Sequence, residues 1–155
     1  MPQTTLTRRM ILTGIAALTA ARPGFAAAPA VHVVKDPGCG CCSAWIEILQ
    51  QAGYSVTTEA REGDAMVDYK IESGIPAEMM SCHTARVEGY AIEGHVPVAD
   101  IERLLALAPE AVGLSVPGMP WGSPGMGPEA EREAYEVFLI HRDGSAEVFS
   151  RYAAA

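Results

Sequence analysis

Three of the chain's four cysteines fall within four positions, in the segment Cys39-Gly40-Cys41-Cys42. Cys39 and Cys42 have the C-x-x-C spacing of thiol–disulfide exchange sites, with Cys41 inserted between them. A redox pair needs only two sulfurs, and a disulfide between the neighbours Cys41 and Cys42 would be strained. Three thiolates on one turn suit a soft metal, above all Cu(I) and less so zinc. The pattern favours a metal site and leaves a redox pair or a structural disulfide open.

Further sulfur and imidazole groups could complete such a site. Cys82-His83 pairs a thiol with an imidazole, although an isolated pair of this kind is often a packed thiol and a surface histidine. His95 precedes a predicted helix and could be a ligand or a capping group; a structural role is favoured. Met119 and Met126 lie in a segment rich in glycine and proline, and they are candidate thioether ligands or groups that would support the metal ligands.

The cysteine segment lies between a predicted strand and a predicted helix. Residues 31–34 are mostly β-branched and apolar, as in a short buried strand. From Trp45 to Ala52 the apolar residues recur at helical spacing, and Gly53 marks the end of that pattern. The cysteines therefore lie at a helix N-terminus, where backbone N–H groups and the helix dipole favour thiolate over thiol.

The rest of the chain continues the alternation of strands and helices. The pattern predicts a strand at 54–58, a helix at 65–73, a hairpin at 85–92, a helix at 98–107, a loop at 111–127 and a second hairpin at 135–140 and 146–149. The order β-α-β-α-β-β-α resembles the thioredoxin and glutaredoxin fold over roughly residues 31–108. We therefore expect an α/β fold with a thioredoxin-like core, a C-terminal loop and an added β-hairpin. The resemblance implies that Cys82-His83, ahead of the third strand, converges on the turn that carries Cys39, Cys41 and Cys42, here called the cysteine turn.

The N-terminus has the pattern of an export signal. Arg8 and Arg9 form a twin-arginine pair, and a modestly apolar run follows over residues 11–21. That run is too short for a membrane span. We expect a twin-arginine signal peptide at residues 1–28 and a single mature domain at residues 29–155, located in the periplasm and without a membrane span. A short amphipathic membrane anchor is the alternative.

The net charge of the chain restricts the classes of molecule that it can bind. Residues 1–28 hold three of the 11 basic residues and none of the 19 acidic ones, so residues 29–155 carry a net charge of about −11. Nucleic acid and anionic membrane are poor partners for such a surface, whereas a soluble cation is a better one. Export also places the four cysteines in an oxidising compartment, where two plain disulfides are an alternative to a metal site.

Four segments together resemble the bacterial family DUF411, whose members include periplasmic copper-resistance proteins. They are residues 35–42, 80–84, 89–97 and 116–126. The resemblance implies a thioredoxin-like fold that binds copper, with several Cu(I) ions expected. It also implies the copper efflux and copper oxidase systems with which family members often occur. Storage, transfer and oxidation of copper are all compatible with it. The implied ligands are the thiolates of Cys39, Cys41, Cys42 and Cys82 and the imidazole of His83.

These observations lead to one expectation and two alternatives. We expect an exported copper-binding protein that supports copper tolerance, with copper redox activity left open. The first alternative is a periplasmic thiol–disulfide oxidoreductase that uses Cys39 and Cys42. The second is a binding module stapled by disulfides.

Overall fold

Seven strands form a single mixed sheet in the computed structural model, which describes residues 29–155. The leader assigned to residues 1–28 lies outside the described residues. The strands are β1 (Ala30–Lys35), β2 (Ser55–Ala60), β3 (His83–Val87), β4 (Tyr90–Glu93), β5 (Gly113–Ser115), β6 (Tyr135–Ile140) and β7 (Ala146–Tyr152). Their spatial order is β2-β1-β3-β4-β5-β6-β7. The expectation of an α/β fold is confirmed.

Three α-helices connect the strands in the described part of the chain: α1 (Gly40–Gln51), α2 (Asp64–Glu72) and α3 (Val98–Leu107). The order β-α-β-α-β-β-α predicted for the first part of the domain is the observed one. Within residues 29–155, no helix combines the length and the apolar character needed to cross a membrane.

The hairpin between β3 and β4 follows directly from its two turn residues. Glu88 and Gly89 both have positive φ angles, 47° and 88°. Such angles match the right-handed twist of two strands joined by a two-residue turn. The hairpin pairs Thr84 with Glu93 in antiparallel register, so the residue that follows Cys82-His83 lies beside the end of β4.

The predicted loop at residues 111–127 is partly wrong, because it contains a strand, β5, at its start. β5 pairs in parallel with β4 and antiparallel with β6, so it joins the C-terminal hairpin to the rest of the sheet. At Gly113 a side chain would overlap the backbone of Ala91, so glycine is required for this close approach. A three-residue strand among glycines and prolines is too short to show a periodic pattern, which explains the error.

The core fixes the position of α1 against the sheet. Trp45 and Leu49 are fully buried and pack with Val33 of β1 and with Leu104 of α3. The Trp45 indole also donates a 2.9 Å hydrogen bond to the carbonyl oxygen of Val96. The helix that begins in the cysteine segment is thereby held against the chain that follows His95.

Candidate metal centre

Hydrogen bonds to Asp36 hold the backbone that leads into the cysteine turn. Asp36 accepts a 2.7 Å hydrogen bond from the Gly38 N–H through its carboxylate and a 3.1 Å bond from the Cys39 N–H through its carbonyl. Cys39 is then the N-cap of α1, because its sulfur accepts the N–H of Cys42 at 3.3 Å. The sulfur occupies the position of a side-chain cap at the positive end of the helix dipole. Asp36 thus shapes the turn that leads into α1.

Two of the three turn cysteines are covalently joined. A disulfide connects Cys39 and Cys42, whose Cα atoms are 5.4 Å apart. Cys41 is free and half-buried, and its sulfur lies 3.4 Å from that of Cys39. The C-x-x-C pair is therefore placed to form the disulfide of the oxidoreductase alternative. Binding of a metal by Cys39 and Cys42 requires that this bond first be reduced, because only thiolates are metal ligands.

The register of β1 and β3 brings Cys82 to the cysteine turn. Lys35, the last residue of β1, pairs with His83, the first residue of β3. Cys82 therefore lies next to the point where the chain leaves β1 and enters the turn. The sulfurs of Cys39, Cys41, Cys42 and Cys82 all lie within 4.8 Å of one another. The structure thus brings together the two stretches whose convergence the thioredoxin-like resemblance implies.

Both histidines near Cys82 are fully buried. The Nδ1 atom of His83 lies 3.3 Å from the Cys82 sulfur, while its Nε2 has no hydrogen-bond partner. The His83 ring packs against Trp45 at a centroid distance of 4.4 Å. The alternative interpretation of His83 as a surface histidine is therefore wrong.

The hydrogen bonds of His95 fix its tautomer. Its Nδ1 lies 2.7 Å from the carbonyl oxygen of Pro124, and its Nε2 lies 3.0 Å from the Cys82 sulfur. A carbonyl oxygen only accepts, so Nδ1 carries the proton and Nε2 presents its lone pair to Cys82. Ligand-capable atoms of Cys82, His83 and His95 lie within 4.8 Å of one another. The contact with Pro124 has no signature in the sequence, because every residue has a carbonyl group.

Burial sets the protonation of this cluster. It raises the pKa of the Cys82 thiol to about 11, and the neighbouring Cys41 adds to the effect. Burial lowers the pKa of His83 well below its ordinary value, with a smaller effect from His95. Burial also lowers the pKa of His95, against the opposing hydrogen bond to Pro124. Near neutral pH both imidazoles are uncharged and able to bind a metal, whereas Cys82 must first lose a proton.

The loop that contains Met119 and Met126 reaches the cysteine turn. A Cβ added at Gly125 would lie 2.7 Å from the Trp45 nitrogen and 3.0 Å from the Cys41 carbonyl oxygen. The backbone at Gly125 therefore packs directly on the first turn of α1. Met119 is 55% exposed, whereas Met126 is half-buried.

The donor set suits a soft metal. Four sulfurs and two imidazoles make up the two groupings, which share Cys82. Thiolate and imidazole are preferred by Cu(I) and accepted by zinc, whereas magnesium, calcium and manganese prefer oxygen ligands. Because Cys82 belongs to both groupings, its sulfur is placed to join a sulfur-rich position to a nitrogen-rich one.

Comparison with known proteins gives a consistent result. A family model described as "Protein of unknown function, DUF411" matches residues 79–126, and a search of curated proteins found no match. Two solved structures, of copper resistance protein copG in form 1 and form 2, are each 44% identical to this chain. Each match covers 81% of this chain and 98% of the other, with TM-scores of 0.75 and 0.74. The family model and these two structures together show that the chain belongs to the DUF411 copper-resistance family.

Proposed function

We propose that this protein is an exported copper-binding protein that supports copper tolerance and holds Cu(I). The observation that carries the proposal is the convergence of four cysteine sulfurs within 4.8 Å of one another. Such a group of soft donors satisfies the ligand preference of Cu(I). The proposed thiolate ligands are Cys39, Cys41, Cys42 and Cys82.

The nitrogen ligands come from the second grouping. His83 is the proposed nitrogen ligand, since its ring is fully buried and its Nδ1 lies 3.3 Å from the Cys82 sulfur. His95 is proposed as an additional ligand through Nε2, because the Pro124 carbonyl orients the ring and holds the proton on Nδ1. With Cys82 shared between the two groupings, the site accommodates more than one ion. Zinc accepts the same donors and is the less favoured metal.

The fold and the location are part of the same proposal. The element order from β1 to α3, with the cysteines at the start of α1 and Cys82 just before β3, supports a thioredoxin-like core. We propose one domain at residues 29–155 and a twin-arginine signal at residues 1–28, with the protein located in the periplasm. The proposed partners are copper ions and a copper efflux or copper oxidase system.

One observation favours a second candidate function. The disulfide between Cys39 and Cys42 is the bond that a thiol–disulfide oxidoreductase forms and breaks. In a thiol–disulfide oxidoreductase Cys41 takes no part in the exchange, whereas in a thiolate site it is a metal ligand. A redox role for copper joins both candidates, since the same two thiols release two electrons when the disulfide forms.

Cys41→Ser separates the two functions. Reduced protein is loaded with Cu(I) without oxygen, and bound copper and insulin-reduction activity are measured. The copper proposal expects a clear loss of bound copper, whereas Ser43→Ala, on the exposed side of the same helical turn, should keep the parent amount. Unchanged copper in Cys41→Ser, with insulin reduction retained, would support the oxidoreductase instead.

A further inference from the structure

Lys70 and Glu93 form a buried ion pair in the interior of the domain. The Lys70 side chain on α2 is 5% exposed, and that of Glu93, the last residue of β4, is not exposed. The Lys70 Nζ donates to Glu93 Oε1 at 2.5 Å. Removing two charges from water is costly, and apolar replacements of such pairs often preserve stability. Stability alone therefore gives a weak reason for this pair.

The Glu93 carboxylate holds both ends of the segment that carries Cys82 and His83. Its Oε1 accepts the Ser81 N–H at 2.6 Å, and its Oε2 accepts the Thr84 hydroxyl at 2.5 Å. Lys70 also donates to the Thr84 hydroxyl, at 3.1 Å. One buried carboxylate thus anchors the residue before Cys82 and the residue after His83.

The neighbouring backbone adds a third attachment. The Gly94 N–H donates to the His83 carbonyl oxygen at 2.9 Å. At Gly94 an added Cβ would lie 2.7 Å from the Val116 carbonyl oxygen, so the chain passes here without room for a side chain. The segment from Ser81 to Thr84 is therefore fixed against the end of β4. The Ser81 hydroxyl also bonds the Gly118 carbonyl oxygen, but Glu93 is the side chain that contacts both ends of the segment.

We propose that Glu93 is the positioning residue of Cys82, with Lys70 as its counter-ion. This inference rests on the proposed function, because the position it maintains is that of the Cys82 sulfur among the other candidate ligands. Glu93 itself does not belong to either ligand grouping. Its role is to keep Cys82 within reach of the turn cysteines and of both histidines, as supporting groups around metal ligands do.

Two double variants separate positioning from charge. Lys70→Met with Glu93→Gln removes both charges but keeps an oxygen that accepts the Ser81 N–H. Lys70→Met with Glu93→Leu removes both charges and the acceptor. We expect the Gln variant to bind Cu(I) within about threefold of the parent. The Leu variant should bind it about 10- to 100-fold more weakly, with fewer sulfur neighbours in the copper absorption-edge spectrum.

A measurement without copper makes the test independent of the proposed function. Cys41 and Cys82 are free thiols with sulfurs within 4.8 Å, and diamide oxidises two such thiols to a disulfide while it is itself reduced. Mass spectrometry gives the rate of this cross-link in each copper-free variant. We expect it to be about tenfold slower in the Leu variant than in the Gln variant, since proximity controls the rate.

The outcomes are distinct. Equal copper affinities and equal cross-linking rates in two folded double variants would overturn the positioning role. If the Leu variant does not fold, Thr84→Val decides: removal of one anchor should weaken copper binding and slow the cross-link severalfold, and parent values would overturn the proposal. If the parent binds no Cu(I), but the two copper-free double variants differ in cross-linking rate as expected, the proposed function is rejected and the positioning role is retained.

Discussion

The Nε2 atom of His95 lies 3.0 Å from the sulfur of Cys82, and the proton of the ring is held on Nδ1 by the Pro124 carbonyl. This relationship places a neutral imidazole, with its lone pair directed at the sulfur, inside the protein. Cys82 in turn lies within 4.8 Å of the three turn cysteines. A single thiol therefore connects a histidine pair to a cysteine cluster.

His95→Gln should weaken Cu(I) binding at least tenfold if His95 is a ligand. Glutamine is of similar size, but its amide is a much poorer donor to a soft metal than imidazole. The measurement is competition with a coloured Cu(I) chelator at fixed pH. His32→Gln is the control, since His32 contacts Thr57 and Glu59 on the neighbouring strand. Equal affinities for the two variants would assign His95 a structural role.

Copper affinity should rise with pH, and Cys82 should account for one proton of that dependence. Burial raises the Cys82 pKa to about 11, so the thiol is protonated near neutral pH and releases its proton when it binds a metal. For this one proton, the apparent copper affinity should fall about tenfold for each unit by which the pH is lowered below that pKa. The lowered pKa values of both histidines keep them neutral, so they add no competing protonation between pH 7 and pH 8.

Chelator competition at several pH values between 7 and 8 measures this dependence. In a plot of the logarithm of copper affinity against pH, the slope for Cys82→Ser should be smaller than that of the parent by about one. Identical slopes would mean that Cys82 does not deliver a proton on metal binding.

Gly125→Ala should destabilise the domain more than Gly144→Ala. Both glycines have a φ of 85°, so each alanine incurs a similar backbone strain of about 1 kcal/mol. Around Gly144 the space is open, whereas a Cβ at Gly125 would meet Trp45 and Cys41. We expect Gly125→Ala to cost about 1–3 kcal/mol more in the free energy of unfolding, measured by urea denaturation. Equal losses would show that the loop contact with α1 does not matter for stability.

The sequence predicted the order of the elements and the convergence of two cysteine-bearing stretches. Local signals predicted the order: apolar periodicity around the turn at Cys39, and a hairpin after Cys82. The convergence followed from the resemblance of that order to the thioredoxin fold, since no local pattern links the two stretches. The sequence did not predict β5, which depends on pairing with β4 and β6 rather than on its own pattern. The buried position of Lys70 was also missed, because only the tertiary fold shows that a lysine on a weakly amphipathic helix meets Glu93. Long-range partners of this kind leave no local periodicity.

Replacement of Arg8 and Arg9 by lysine should keep the precursor in the cytoplasm. The route that exports folded proteins reads the arginine pair, and lysine does not substitute for it at this position. Immunoblots of periplasmic and cytoplasmic fractions measure the effect, with Arg22→Lys as the control in the same leader. Normal periplasmic amounts of the double variant would contradict the assignment of residues 1–28 as a twin-arginine signal.

In the proposed site, the cysteine turn and the Cys82-His83 pair bind copper jointly. The copper absorption-edge spectrum of the reduced, Cu(I)-loaded protein tests it most directly, recorded beside the spectra of Cys82→Ser and His83→Ala. We expect both sulfur and nitrogen neighbours in the parent, fewer sulfurs in Cys82→Ser and less nitrogen in His83→Ala. A parent spectrum without nitrogen, together with variants that keep the parent's sulfur count, would contradict the joint site.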